Sequence, residues 1–164
     1  MRINRHTPLF FDASVLVAGS HSQQGGSALV LDACKAGSFR AQTSFLVLLE
    51  SHHALRRFPE QSRQRFQRLL LEIDWALVPV PSAERLEYYS RYIDRKDVHV
   101  LAAAVEGGAE FLLTLDRRHI LAVADAVQQA GLPIVILRPG DFIRQYYPQY
   151  HDYRQLPPPR SQSR

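Results

Sequence analysis

The chain has 164 residues, of which 46% are hydrophobic and 22% charged, as in an ordinary globular domain. This length suffices for one domain with a substantial core, and no apolar run approaches the roughly 18 residues of a membrane span. The net charge is +4, and 18 of the 20 basic residues are arginines. Arginine forms bidentate contacts with phosphate and carboxylate, so the excess fits an acidic partner, although a GC-rich genome would give the same bias.

Cysteine usage and the N-terminal segment bear on location. Cys34 is the only cysteine, which excludes an intrachain disulfide and a cysteine-rich zinc site. It lies in an apolar helical pattern, where a packed thiol is expected rather than a nucleophile. The apolar part of the N-terminal segment is too short for a secretory signal. We therefore expect a cytoplasmic, reducing location without membrane association.

Short apolar runs alternate with longer segments of helical period along the chain. Strands are predicted at residues 8–12, 39–43, 76–80, 111–114 and 133–137, and helices at 14–20, 26–36, 45–57, 59–73, 83–93, 97–106, 119–130 and 140–147. Short, continuously apolar strands separated by helices indicate an α/β domain with a mainly parallel sheet. We place this domain at residues 1–146 and expect a disordered tail at 147–164.

Four acidic residues stand where an apolar segment ends or where its pattern should exclude a charge: Asp12, Glu50, Asp97 and Asp116. Asp12 and Asp116 follow predicted strands, and parallel sheets bind ligands at the carboxyl ends of their strands. Asp97 opens a predicted helix. Each aspartate alone could be a helix N-cap, since its carboxylate accepts backbone N–H bonds there. Ser14 and Thr114 could be caps, or hydroxyls that orient a carboxylate or a bound water.

Glu50 is not explained by capping. It lies inside a predicted helix, beside Leu46 and Val47, on a face that we expect to be buried. A glutamate is rarely buried there without a partner. It could form a buried salt bridge with Arg56 or Arg57, extend to solvent, or reach the same pocket as the aspartates.

Convergence of these acids would require a cation. Two carboxylates ~4 Å apart repel each other by about 4 kcal/mol at an effective dielectric of ~20, so a cluster must hold protons or bind a metal. Oxygen ligands favour Mg²⁺ or Mn²⁺ over Zn²⁺, and a carboxylate-held Mg²⁺ suits phosphodiester hydrolysis. His99 and His119 lie near the acids in sequence, but we expect ordinary surface or core packing for both.

Four segments of the chain resemble the PIN-domain family of metal-dependent ribonucleases, and within it the toxin-type virulence-associated protein C group. They are FFDASVLVAG, SFLVLLES, KDVHVLAAAVEGGAEFLLTLDRRH and PIVILRPGDF, within residues 8–143. The most specific stretch opens an alanine-rich helix with Asp97, turns at Gly-Gly-Ala, and ends a strand with Thr-x-Asp at Asp116. The resemblance implies a three-layer α/β sandwich around a parallel sheet.

The resemblance also implies roles for individual residues. It gives catalytic and metal-binding roles, with Mg²⁺ or Mn²⁺, to Asp12, Glu50, Asp97 and Asp116. Thr114 falls on a supporting hydroxyl, and Ser14 stands where many members carry Asn. Asp94 could stand in for Asp97, but its position before the apolar helix fits a cap. The implied activity is endonucleolytic cleavage of RNA by a metal-activated water, with a cognate antitoxin and a homodimer as protein partners.

Basic and aromatic residues surround these acids in sequence. Four cations flank Asp97 and Asp116: Arg95, Lys96, Arg117 and Arg118. They could bind RNA phosphates, or they could balance charge on exposed loops. The seven tyrosines lie in two clusters, at 88–92 and 146–153. Tyrosine can stack on unpaired bases, but packing at a dimer or partner interface is favoured for at least one cluster.

Three other functions stay open at this point. The first is an RNA-processing nuclease without a toxin role. The second is a non-catalytic domain that binds RNA or a partner and keeps an idle acidic pocket. The third is a receiver-like signalling domain that binds Mg²⁺ through acids. It is disfavoured, because the helix that opens with Asp97 and the Thr-x-Asp spacing do not belong to that class.

Overall fold

A computed structural model of the chain describes residues 3–147. A five-stranded sheet forms the centre of the molecule: β1 Pro8–Phe11, β2 Arg40–Ser44, β3 Ala76–Val78, β4 Phe111–Leu113 and β5 Val135–Leu137. The spatial order is β3-β2-β1-β4-β5, and every neighbouring pair is parallel. The predicted α/β class with a parallel sheet is therefore confirmed.

Helices fill the connections between the strands. The α-helices of the described residues are α1 Ala13–His21, α2 Gly26–Lys35, α3 Phe45–Ala54, α4 Glu60–Glu72, α5 Ala83–Tyr89, α6 Val98–Glu106, α7 Ala124–Gln129 and α8 Pro139–Tyr146. Short 3-10 helices lie at Leu55–Arg57 and Leu121–Val123. Connections between parallel strands are right-handed, so α1–α4 cover one face of the sheet and α5–α7 the other. This is the three-layer sandwich that was expected.

Two predicted helices differ from the observed ones at the ends that flank the acidic loops. The helix expected at 83–93 begins as predicted, with the Ser82 side chain accepting the Arg85 N–H, but it ends at Tyr89. There the Tyr92 N–H bonds the Tyr89 carbonyl three residues back, which tightens the chain into turns. The helix expected at 119–130 starts with a 3-10 turn at Leu121–Val123, in which the Val123 N–H bonds the Ile120 carbonyl three residues back at 3.2 Å.

Strand order creates one reversal that positions the site. The chain moves outward from β1 to β2 and β3, then crosses back to β4 on the other side of β1. Adjacent parallel strands whose connections leave in opposite directions open a crevice at their carboxyl ends. In the β1–β4 register, Phe11 lies opposite Leu113, so the residues that follow them, Asp12 and Thr114, emerge side by side.

The core lies on both faces of β1 and around α6. Leu9, Phe10 and Phe11 are fully buried, and alanines 102–104 of α6 are buried as well. Small side chains let α6 approach the sheet closely: a Cβ added at Gly107 would lie 2.6 Å from Val78 Cγ2. The next residue, Gly108, has a φ of +74°, which favours glycine at a helix end, as the Gly-Gly signal predicted.

The C-terminal boundary is only partly within the described residues. Tyr147, which we assigned to the tail, is buried and packs on Phe39 with ring centroids 6.2 Å apart. Residues 148–164 lie outside the described part, so the predicted disorder there stays a prediction. Within residues 3–147, no helix combines the length and apolarity needed to cross a bilayer.

Candidate metal-binding site

Asp12 stands at the crevice, directly after β1, and is only 5% exposed. Its Oδ2 accepts hydrogen bonds from the Ser14 hydroxyl at 2.7 Å and the Thr114 hydroxyl at 2.8 Å. The two hydroxyl oxygens lie 3.4 Å apart. Hydroxyl groups from Ser14 and from the end of β4 therefore hold this carboxylate. Asp12 occupies the N-cap position of α1, but its side chain makes no capping hydrogen bond there.

The environment of Asp12 disfavours its charge. Burial raises the pKa of Asp12, the hydrogen bonds from Ser14 and Thr114 lower it, and the nearby charge of Glu50 raises it again. Burial is the largest of these effects, so the ionised carboxylate is held at an energetic cost. A cation beside it would offset that cost.

Asp97 occupies the position before α6 without capping the helix. Its side chain makes no capping hydrogen bond, and its Oδ2 is buried with no hydrogen-bond partner among residues 3–147. Burial raises the pKa of Asp97; the charges of Lys96 and His119 lower it, and those of Asp116 and Asp12 raise it. An unpartnered buried carboxylate oxygen is unusual in native proteins. It is what a site that binds a cation would present.

Asp116 lies in the loop after β4 and uses its two oxygens differently. Oδ1 accepts the backbone N–H groups of Arg118 at 3.1 Å and His119 at 3.0 Å. Asp116 therefore accepts the N–H groups of the turn that follows it, but it is not a helix N-cap, because the next helix begins at Leu121 after Ile120. The backbone N–H of Asp116 donates to Thr114 Oγ1 at 3.0 Å. Oδ2 lies 3.4 Å from His119 Nδ1.

Three residues bring possible metal-ligand atoms close together: Asp97, Asp116 and His119. One ligand atom each from Asp97, Asp116 and His119 lie within 4.8 Å of one another. We expected ordinary surface or core packing for His119; the structure adds that its ring also lies beside the carboxylate of Asp116. The available signal was its spacing of three residues from Asp116, which brings the ring back over the carboxylate once the loop is closed by backbone hydrogen bonds.

Glu50 does not lie on a buried helix face. Its side chain is 49% exposed, and in α3 only Val47 and Ser51 are buried. Its partner is not Arg56 or Arg57: Glu50 Oε1 lies 2.7 Å from His99 Nε2. Glu50 is near enough to raise the pKa of Asp12, but it is outside the three-residue cluster.

His99 links α6 to α3. Its side chain is only 15% exposed, and its Nδ1 is buried without a partner among the described residues. A neutral ring that donates Nε2–H to Glu50 leaves Nδ1 as an unused acceptor, whereas a charged ring would bury an unsatisfied N–H. The ordinary packing that we expected for His99 is incomplete, because the ring also holds Glu50.

Sequence comparison identifies the fold family. The sequence model of the PIN domain matches residues 8–118. The chain belongs to the PIN-domain family. PIN domains are generally nucleases. Comparison with curated protein sequences gives no match.

Solved structures agree with this assignment. The PIN domain is similar to a chain in the crystal structure of VapBC2 from Rickettsia felis bound to a DNA fragment from their promoter, with 14% identity, 80% of this chain and 98% of that chain covered, and a TM-score of 0.54. It is also similar to PAE2754 from Pyrobaculum aerophilum, with 18% identity, 68% and 81% covered, and a TM-score of 0.50. At these identities the likeness shows the fold.

The donors of this PIN domain fit a divalent cation. Asp97 offers an unpartnered buried oxygen, and Asp116 and His119 present further ligand atoms within 4.8 Å. Asp12 lies close enough to act on the pKa of Asp97. Carboxylate oxygens and one imidazole nitrogen form a donor set for a hard or borderline divalent ion.

Four exposed basic side chains lie next to the acids in sequence. Arg95 and Lys96 are exposed before α6, and Arg117 and Arg118 are exposed after β4. Lys96 lowers the pKa of Asp97, so part of this positive charge balances the site itself. Contact with RNA stays a prediction for all four.

The tyrosine clusters make intramolecular contacts in the PIN domain. Tyr89 is buried and donates its hydroxyl to Glu106 at 2.9 Å, while the Arg85 guanidinium lies over the rings of Tyr88 and Tyr89. Tyr146 packs edge-on against Phe111. These contacts account for the buried rings, and the interface role expected for one cluster stays a prediction. Tyr150 and Tyr153 lie outside the described residues.

Proposed function

We propose that this PIN domain is a Mg²⁺- or Mn²⁺-dependent endoribonuclease. The observation that carries the proposal is Asp97: its Oδ2 is buried without a hydrogen-bond partner among the described residues, and one of its carboxylate oxygens lies within 4.8 Å of ligand atoms of Asp116 and His119. Burial raises the pKa of both Asp12 and Asp97, and a bound divalent cation would favour the ionised form of both carboxylates.

Each acid is given a specific task in the proposed reaction. A bound cation would supply Lewis-acid stabilisation of phosphoryl charge and a more acidic water. Asp97 and Asp116 hold the cation, and Asp12 completes the negative site with its carboxylate fixed by Ser14 and Thr114. Glu50 is half exposed at the edge of the site and tethered by His99, which suits it to orient the attacking water and accept its proton.

RNA binding is assigned to the cations beside the acids. Arg95 and Lys96 directly precede Asp97, and Arg117 and Arg118 directly follow Asp116; all four are exposed. Phosphate contacts by such residues position a strand without reading its sequence. This arrangement supports cleavage of a flexible single strand rather than recognition of a particular base.

We further propose that the protein is the toxin of a toxin–antitoxin pair, forms a homodimer, and is silenced by a cognate antitoxin encoded beside it. The support is the resemblance to the virulence-associated protein C group, together with the fold shared with a chain of the VapBC2 structure. Expression should arrest growth, and co-expression of the neighbouring gene should relieve the arrest. Without growth arrest, an RNA-processing role would be the better description.

Cleavage of single-stranded RNA tests the enzymatic proposal. Purified protein should cleave it with Mg²⁺ or Mn²⁺, and EDTA should stop the reaction. Asp97→Asn should abolish cleavage and retain the wild-type circular dichroism spectrum, whereas Asp94→Asn, a matched change at an exposed neighbour, should remain active. Equal behaviour of wild type and Asp97→Asn would favour a non-catalytic binding domain.

A further inference from the structure

The imidazole of His119 is held beside the acids by its own loop. The His119 N–H donates to Asp116 Oδ1 at 3.0 Å, and the Leu121 N–H donates to the Asp116 carbonyl at 2.9 Å. These bonds curl the loop after β4 so that the ring faces the other carboxylate oxygen of Asp116. His119 is therefore positioned by the backbone and needs no contact made by its own ring.

The contact between the ring and Asp116 is too long to explain the arrangement alone. Nδ1 lies 3.4 Å from Asp116 Oδ2, whereas charge-assisted N–H···O bonds are usually about 2.7–2.9 Å long. One nitrogen of the His119 ring belongs to the group of ligand atoms that lie within 4.8 Å of one another, and Nδ1 is the nitrogen that faces Asp116. Two ligands of one small divalent ion lie at most ~4.2 Å apart when each bond is ~2.1 Å, so a small inward movement would suffice.

A nitrogen donor changes which cation the site prefers. Mg²⁺ takes oxygen ligands and gives up its waters reluctantly, while imidazole suits transition-metal ions. The sequence predicted a site made of oxygen ligands alone, which would not favour Mn²⁺ over Mg²⁺. The donor set in the structure contains oxygens from Asp97 and Asp116 together with the nitrogen of His119.

We propose that His119 Nδ1 ligates the divalent cation of this site and makes the site favour Mn²⁺ over Mg²⁺. This inference rests on the proposed metal-dependent function and specifies its cofactor. Asp97 and Asp116 supply the charge that attracts either ion, and His119 supplies the discrimination between them. Replacing His119 with a side chain that lacks a ring nitrogen should remove the preference and retain the carboxylates.

Electron spin-echo spectroscopy of the Mn²⁺-loaded full chain tests this ligand directly. Wild type should show modulation from a directly bound ¹⁴N nucleus, and labelling its histidines with ¹⁵N should change that modulation without any substitution. His119→Gln should lose the signal and bind Mn²⁺ at least about tenfold more weakly, since loss of groups that support a metal site typically costs 10–100-fold. Its affinity for Mg²⁺ should change little.

His99→Gln is the matched control, because it removes the other histidine beside the acids, and it should keep the nitrogen signal. Bound Mn²⁺ without nitrogen coupling in wild type, or coupling that persists in His119→Gln, would overturn the inference and leave the nuclease proposal standing. Wild-type protein that binds neither Mn²⁺ nor Mg²⁺ would instead overturn both.

Discussion

Asp12 and Asp97 are the residues whose charge is most costly to the fold. Burial raises the pKa of each, and each feels the charge of another site acid. Asp12 is partly compensated by the hydroxyls of Ser14 and Thr114, whereas Asp97 keeps an unpartnered oxygen. Stability without metal should therefore depend on pH and respond to neutral substitutions at these positions.

The first prediction concerns Asp97→Asn in EDTA. The unfolded carboxyl titrates near the ordinary aspartate pKa of 3.8, and the folded pKa is higher, so the folded state binds more protons between the two values. Stability then falls as pH rises from about 4 through the folded pKa. Asp97→Asn should lose this dependence and melt at higher temperature than wild type at pH 7, as measured by differential scanning fluorimetry.

The same melting experiment is then repeated with a divalent metal ion added. Millimolar Mn²⁺ should raise the melting temperature of wild type at pH 7 by mass action, and it should raise that of Asp97→Asn less. Asp94→Asn should follow wild type in both conditions. A melting temperature that changes neither with metal nor with the Asp97 substitution would contradict a cation site at these carboxylates.

The second prediction concerns the hydroxyl of Thr114, which donates to Asp12 and accepts the Asp116 N–H. Thr114→Val leaves both groups without this partner and should destabilise the protein by about 1–3 kcal/mol, measured by urea denaturation. It should also weaken Mn²⁺ binding. Thr43→Val is the control, because the equally buried Thr43 hydroxyl donates only to the Phe11 carbonyl. It should cost stability without changing metal affinity.

At the scale of elements, α3 and α6 meet at the pair between Glu50 and His99. The pair holds an exposed glutamate by one contact of 2.7 Å, and the imidazole is itself fixed within the packed side of α6. We expect this contact to determine where Glu50 points. His99 would then be a positioning residue that acts through Glu50.

The third prediction follows from that contact. His99→Ala should lower the rate of RNA cleavage by about 10- to 100-fold, since misplacing a reacting group by ~1 Å can cost about 100-fold. His99→Gln, whose amide can still donate to Glu50, should recover part of the rate. If Glu50 is oriented by His99, Glu50→Gln and the double variant with His99→Ala should have equal rates. An alanine variant as fast as wild type would contradict the positioning role.

The sequence allowed the positions of some site residues to be predicted, but not of others. Asp12 and Asp116 follow apolar runs, so their placement at the carboxyl ends of parallel strands could be inferred from sequence. The surroundings of Glu50 could not, because the apolar residues of α3 do not specify what packs on them, and Phe45 and Leu49 are 60% and 48% exposed. His119 was missed because loop hydrogen bonds, rather than a periodic pattern, orient its ring.

At the scale of the whole molecule, charge is divided between the two ends of the sheet. Arg117 and Arg118 are exposed beside the acids at the carboxyl ends of the strands. Arg40 is exposed at the opposite end, where it begins β2. The net charge of +4 therefore describes an average, and the location of each cation decides whether it can contact a bound strand.

The fourth prediction uses this difference. Arg117→Gln in a catalytically silent Asp97→Asn background should weaken single-stranded RNA binding, and it should make the slope of log affinity against log salt less steep by about 0.7. Arg40→Gln removes the same charge at the other end of the sheet and should leave the slope unchanged. Equal slopes for both variants, measured by fluorescence anisotropy, would exclude Arg117 from the RNA-binding surface.

The pairing of β1 with β4 has a consequence for the timing of activity. The Asp12 N–H bonds the Leu113 carbonyl, and Thr114 meets Asp12 across a separation of 102 residues. Translation proceeds from the N-terminus, so a nascent chain that has completed β1, β2 and β3 still lacks Asp97, Asp116 and His119, the residues of the proposed ligand group. The ribosome therefore makes about two-thirds of this protein as an inert polypeptide, and any hydrolytic activity would begin only after β4 has joined the sheet.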